Sequence, residues 1–339
     1  MIVRIFPLII TLFSVGIYAQ EEPQWQKRLP RTLQADFPYT KAAIRQDFPK
    51  NAVANKGMAI VVGRESFMCF DTDLLRWSAG WTGDYLTEDG VSFKGNHGAS
   101  PHVAGDQKFG SSALAGWADS KGSFADPRNE PFGPLPETQA KWRGCYVADD
   151  HVVLSYTVGK TQIQEEPGSI EKDGQTVFVR HIKHAGLGAE LAALVCEVEN
   201  AEGSVENGAA MLVAADQVTQ AVLVGAPKGA MLKVQEDKRI VAILPKGIKA
   251  GIFQIRIWTG SKADHANITK LLKVPAKAEF RTTGTNRWPQ AIIKQGVMNA
   301  SKTPDGAYVT DVIASPEQNP WNRRVRFGGL DFFSDGNRA

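Results

Sequence analysis

The 339-residue chain carries 39 Lys and Arg against 36 Asp and Glu, a net charge of +3 spread without a basic block, which disfavours nucleic acid as a partner. Its length suffices for one large core or two domains, and 32 glycines, 18 prolines and many short alternating runs favour β structure with long loops. Cys69, Cys145 and Cys196 show neither zinc-type spacing nor Cys-x-x-Cys-His, so the chain by itself attaches no c-type haem. One disulfide with a leftover thiol and three buried thiols both fit their positions.

At the start, Arg4 precedes an apolar run from Ile5 to Ile17, and Ala19 offers a small residue at a cut position. This predicts a secretory signal peptide over residues 1–19, and with it an exported protein, periplasmic or extracellular. The run is short for a membrane anchor, and no later segment is long and apolar enough to span a bilayer. Residues 20–35 read as a polar, mobile N-terminus. Asp36-Phe37-Pro38 and Asp47-Phe48-Pro49 then repeat a unit. Tyr39 to Gln46 between them is expected to form a short helix stopped by Pro49, the whole acting as an outer clamp.

Strands are expected at Gly57–Val62 and Ser66–Asp71, with a further pair across Trp81–Lys94. Gly95 to Thr138 is the least regular stretch, and a loop of that length inside a domain is more often functional than not. Cys145–Ala148 and His151–Val158 flank Asp149-Asp150 as a hairpin. Strands follow at Gln175–Lys183, Glu190–Glu199, Ala209–Ala214, Gln220–Val224, Met231–Gln235 and Arg239–Leu244. In Ile252–Trp258, Phe253, Ile255 and Ile257 point one way and Gln254, Arg256 and Trp258 the other. That alternation implies a sheet with one buried face and one polar, aromatic face. Ser261–Lys273 is a helix with Ser261 or Asp264 as N-cap. The sum is an all-β fold, a large antiparallel β-sandwich with long loops and one or two short helices. Residues 282–290 read as a linker. From 291 to 339 the strand signals stop abruptly after Ser334-Asp335-Gly336, which implies a fragment or a truncated product.

Chemistry concentrates in Cys69–Gly83, which holds Asp71, Asp73, Arg76, Trp77 and Trp81. In an extended segment Asp71 and Asp73 leave one face, about 7 Å apart, a separation compatible with inverting glycosidase chemistry. Carboxylates, a guanidinium and indoles together suit a sugar's hydroxyls and ring faces. The long loop adds His97, His102, Trp117, Asp126 and Arg128, which would complete an aromatic and acidic pocket if it folds over the opening stretch. The competing reading is a turn capped by the aspartates with both tryptophans in a core. Asp71, Asp73 and Asp126 offer hard oxygen ligands for Ca²⁺, though without a complete calcium loop, and His97 with His102 would suit a transition metal. Serine-nucleophile motifs, P-loops and dinucleotide fingerprints are absent.

Cys69-Phe70-Asp71-Thr72-Asp73-Leu74-Leu75-Arg76, Gly80-Trp81-Thr82-Gly83, Gly116-Trp117-Ala118-Asp119, Asp126-Pro127-Arg128 and Pro131-Phe132-Gly133-Pro134-Leu135-Pro136 together resemble DUF6797. This is the uncharacterised N-terminal domain of large exported planctomycete-type proteins, and the resemblance spans residues 36–281. The tail, with Asn319-Pro320-Trp321 and Gly329-Leu330-Asp331-Phe332-Phe333, resembles the entry into the β-propeller that follows. That propeller is similar to those of quinone-dependent sugar dehydrogenases and is often followed by a c-type cytochrome domain. The resemblance implies these downstream domains as partners and supplies no catalytic residues. Three functions remain in view: a non-catalytic module that recognises a ligand such as a glycan or supports the propeller, a carbohydrate-active enzyme working through Asp71 and Asp73, and a purely structural domain.

Overall fold

The structure is a computed structural model. It describes residues 38–275 apart from 51, 88–99 and 237, together with 280, 292, 293, 306 and 309. The expected signal peptide, N-terminal segment and linker lie outside the described residues, as do His97 and the expected propeller-like tail apart from the four isolated positions 292, 293, 306 and 309. By internal contacts the chain divides into Met1–Gly284 and Thr285–Ala339, and every element below belongs to the first unit.

Two large sheets, with strands numbered along the chain, make up the fold. The ten-stranded sheet runs in space β16 (Met231–Gln235), β17 (Arg239–Leu244), β12 (Leu191–Glu197), β7 (Asp106–Gly110), β4 (Arg76–Thr82), β3 (Ser66–Asp71), β2 (Val53–Val61), β1 (Tyr39–Arg45), β6 (His102–Val103) and β5 (Leu86–Thr87). The eight-stranded sheet runs β13 (Glu202–Glu206), β14 (Ala209–Ala214), β15 (Gln217–Val224), β18 (Gly251–Ser261), β11 (Gln175–His184), β10 (Thr161–Lys172), β9 (His151–Val158) and β8 (Ala140–Ala148). Pairing is antiparallel except for β1 with β6. The architecture is the all-β sandwich that the alternation implies.

Between the sheets lies one large core in which Phe70, Trp77, Phe109, Tyr156, Phe178 and Ile255 are buried. β18 shows how the sequence pattern builds it. Phe253, Ile255 and Ile257 enter this core, while Trp258 joins Val177, Val222, Ile268 and Leu272 in a separate cluster on the other face. That face is covered by α1 (Lys262–Leu272), whose N-cap is Ser261, its hydroxyl oxygen accepting Asp264 N–H. No helix among the described residues is long and apolar enough to cross a membrane.

A buried polar network ties the two sheets together. Glu165 of β10 accepts from Trp77 Nε1 (2.6 Å) and Arg180 Nε (2.6 Å) through one oxygen and from the Tyr156 hydroxyl (2.6 Å) through the other. Arg180 also donates to Leu194 O across the sandwich (2.7 Å). Burial, with the Glu165 charge adding to it, pushes the Tyr156 hydroxyl well above its usual 10. For Arg180, burial works against the charged form, but the carboxylate outweighs it and the pKa rises.

Three expectations change. Tyr39–Arg45 is a strand, not a helix, because its registry with Val53–Ile60 gives Ala42 and Ile44 a buried face that an isolated helix would not supply. The described part of the long loop, from residue 100, is an ordered cover that contains β6 and β7 and bridges Trp117 to Ala193. Within it, Gly116 lies so close to the β3–β4 turn that an added Cβ would come within 1.8 Å of Leu75 O. Thr161–Lys172, where no strand is expected, is the longest strand among the described residues. All three cysteines are free thiols, and burial pushes the Cys69 thiol up to about 12.

Candidate functional site

The β3–β4 hairpin holds the cluster that dominates the sequence. Asp71 ends β3, whereas Asp73 lies in the turn, so the two aspartates do not share a strand face. Asp71 Oδ1 accepts the backbone N–H groups of Asp73 (3.1 Å) and Leu74 (3.4 Å), which makes it a turn cap. Its other oxygen lies 3.4 Å from Arg76 Nη2, and Arg76 also donates to Val53 O and to the carbonyl and hydroxyl oxygens of Ser111. Both side chains are buried.

Asp73 instead meets the long loop, which does fold over the hairpin. Its Oδ2 accepts Gly133 N–H (3.1 Å) and lies 3.7 Å from Arg128 Nη1. Arg128 makes a two-pronged pair with Asp126 (2.8 Å each) and donates to Gly133 O. Burial, with the neighbouring Asp71 charge, raises the Asp73 pKa above its usual 3.8. For Asp126, burial acts in the same direction, but the bonds and charge of Arg128 outweigh it and hold the carboxyl below that value.

The tryptophans do not form a stacking surface. Cys69 pairs with Ala79 and Phe70 with Trp77, which leaves Ser78 as a bulge. Trp77 therefore enters the core between the sheets, while Trp81 lies on the opposite face among Phe67 and Tyr85. Trp81 Nε1 donates to Asp84 O and Tyr85 O. Trp117 is equally enclosed, beside Tyr156. His102 pairs with Asp47 (3.0 Å), not with the hairpin carboxylates. Among the described residues, no group of three or more His, Cys, Asp or Glu side chains is placed to hold a metal ion.

A different place is open. A cleft of about 700 Å³ lies where β9 and β10 part. Their ladder runs from Thr161↔Val158 to Glu165↔Leu154 and stops there, and Pro167, two residues on, has no N–H to extend it. β10 carries on along β11 and reaches the β2–β3 turn, where Ser169 donates to Val62 O (3.1 Å). At Gly168, on the cleft wall, an added Cβ would meet nothing within 4 Å.

The polar groups of the cleft come from four strands and two turns. His151 Nδ1 lies 3.1 Å from Glu166 Oε1, and its Nε2 lies 3.4 Å from Asp150 Oδ1. His181 stands opposite Glu166 in the β10–β11 register and is 8% exposed. Burial draws its pKa below 6.5, and the Glu166 charge pulls weakly the other way. Arg256, 1% exposed, donates to Gln254 Oε1 from Nε (2.9 Å) and Nη2 (2.8 Å) and to Leu272 O (2.9 Å) and Val274 O (2.6 Å) from Nη1. It thereby satisfies carbonyls at the C-terminal end of α1. No carboxylate among the described residues lies within ion-pair distance of it, and burial alone lowers its pKa. With Val179 and Ile170 as apolar wall, the cleft offers hydrogen-bond donors over a partly dry floor.

Residues 68–165 match the family model described as a domain of unknown function, DUF6797. The match contains the hairpin cluster, the strap of Asp126 and Arg128, and His151 of the cleft. It ends inside β10, so Glu166, His181 and Arg256 lie beyond the matched residues. No curated protein matches the chain. Among solved structures, heparinase III (the BT4657 gene product, with methylated lysines) is similar at a TM-score of 0.33 and 10% identity, over 68% of this chain and 37% of that one. The chain thus spans well under half the length of that protein.

His151, Glu166 and His181 carry no motif, and their convergence depends on strand pairing. Two features of the sequence bear on the cleft: the outward positions Gln254 and Arg256, and the Pro167-Gly168 pair inside an otherwise alternating segment.

Proposed function

We propose that this chain is a non-catalytic recognition module whose ligand, a polar molecule of carbohydrate type, sits in the cleft between β9 and β10. The observation that carries the reading is a volume of about 700 Å³ beside an interrupted ladder, with donors from Arg256, Gln254, His151 and His181 around it. That volume falls within the range of small-ligand sites, about 300–1,000 Å³. Gly168 supports it further, since a glycine inside a strand leaves room for a close approach to the backbone.

The hairpin carboxylates support recognition over turnover. Asp71 is bonded to its own turn and to Arg76, and Asp73 to Gly133 and Arg128, so acting as acid and base would require both to abandon those partners. In the proposed setting, export through the N-terminal signal and a downstream propeller would place the module at the head of a longer protein. Binding to a glycan panel tests the reading. A Gly168→Phe variant, which fills the cleft without backbone strain, should abolish capture while keeping the fold. Glycan turnover that disappears in an Asp71→Asn/Asp73→Asn variant would replace this reading with an enzymatic one.

A further inference from the structure

We infer that the ligand of the cleft carries an oxyanion, a carboxylate or sulfate group, seated over Arg256 and His181. This rests on the cleft being the binding site, and it specifies the chemistry that the site selects.

The argument begins with charge. Arg256 is a buried guanidinium whose four hydrogen bonds all go to neutral oxygens, those of Gln254, Leu272 and Val274. These bonds fix its position without neutralising it, and they leave one N–H of the guanidinium's full set unused. A buried charge without a counter-charge is costly, and an anion entering the cleft would remove that cost. Gln254 adds to the donor set, because its carbonyl oxygen is taken by Arg256 and its amide nitrogen remains a donor. Apolar neighbours on the wall, Val179 and Ile170, strengthen the field by excluding water.

The carboxylates of the cleft, Glu166 and Asp150, gather around His151 and not around Arg256. Glu166 of β10 is engaged by His151, and His151 is flanked on its other nitrogen by Asp150. Arg64, on the β2–β3 turn, is exposed at the rim and adds positive charge. Lys183, two residues along β11, has its ammonium 5.8 Å from the centre of the Phe280 ring. His181 is then the group whose charge depends on a ligand. Burial draws its pKa down, and an adjacent oxyanion would favour its protonated form. Binding should therefore take up a proton and tighten as pH falls.

The test uses the full chain with three probes, D-glucuronate, D-glucose 6-sulfate and D-glucose, followed by NMR of the histidine rings. One or both acidic sugars should bind about tenfold tighter than glucose, and the one that does so identifies carboxylate or sulfate as the preferred group. The preference should grow between about pH 7.5 and about pH 5.5, with a ring shift at His181. His181→Gln should remove the pH dependence, and Arg256→Gln should reduce acidic-sugar affinity to the level of glucose. Because Arg256 also holds α1, His181→Gln decides the matter if Arg256→Gln does not fold. Equal, pH-independent binding of all three sugars that Gly168→Phe abolishes would overturn the oxyanion and leave the cleft as the site. Binding indifferent to Gly168→Phe, or no binding of any sugar, would overturn both.

Discussion

Arg180 and Arg256 stand on neighbouring strands of one sheet, equally buried, and leave it on opposite faces. Val179 pairs with Arg256 and Arg180 with Ile255, so the two guanidiniums differ by one step in register. Arg180 meets a carboxylate at 2.6 Å and a network that joins the sheets. Among the described residues, Arg256 meets only neutral oxygens beside an open cleft. Burial alone therefore says little about what a charge is for. The partner separates an arginine spent on the fold from one whose charge is left to attract something else.

The sharpest way to break the comparison is to strip Arg180 of its partner. Glu165→Ala should destabilise the protein by about 3–5 kcal/mol in urea unfolding, because it leaves a buried guanidinium uncompensated. A loss below about 1 kcal/mol would make the two arginines alike and remove the contrast. Asp71→Asn addresses the hairpin: it keeps one acceptor for the turn but removes the charge beside buried Arg76, so a loss of about 2 kcal/mol is expected. Sugar capture by the cleft should be unchanged, and capture lost in step with this variant would return the site to the hairpin. Arg256→Met should cost less, about 1–2 kcal/mol, since the lost carbonyl bonds are partly offset by removing an unpaired buried charge. Hydrogen exchange should then quicken selectively in α1.

The smallest expected effect is in pH. His181 has a folded pKa below its unfolded value, so its contribution to stability is fully present above about pH 6.5 and is lost as pH falls through the folded value. Unfolding free energy measured from pH 7 to pH 5 should decline in the wild type, and His181→Gln should flatten that part of the curve. An unchanged slope in the variant would show that His181 is not held neutral by the fold.

The sheet faces could be read from the chain wherever local alternation decides them, as in Phe253 to Trp258, and the helix start could be read from Ser261. Tyr39–Arg45 misled because Lys41-Ala42-Ala43 favours a helix locally, while its strand partner, Val53–Val61, is specified only by the fold. Thr161–Lys172 escaped notice because Pro167 and Gly168 resemble a break. They do interrupt something, but it is the ladder to β9, not the strand. The irregularity that hides the strand therefore also opens the cleft. The Asp71 cluster drew attention because its chemistry is adjacent in sequence, yet adjacency served turn capping. The groups of the cleft are scattered from Asp150 to Arg256, and only pairing across β9, β10, β11 and β18 assembles them.

The unpaired Ser78 has a bearing on how this stretch is compared between chains. With Cys69 fixed opposite Ala79 and Phe70 opposite Trp77, that one residue's lack of a partner decides which side of the sheet receives each indole. A sequence lacking it would pair without the bulge and still leave the two indoles on opposite faces, whereas one that kept it and paired regularly would put both on one face. In an alignment across Arg76 to Trp81, a single gap at Ser78 is therefore silent for both indoles, and the pairing, not the residue count alone, decides their environment.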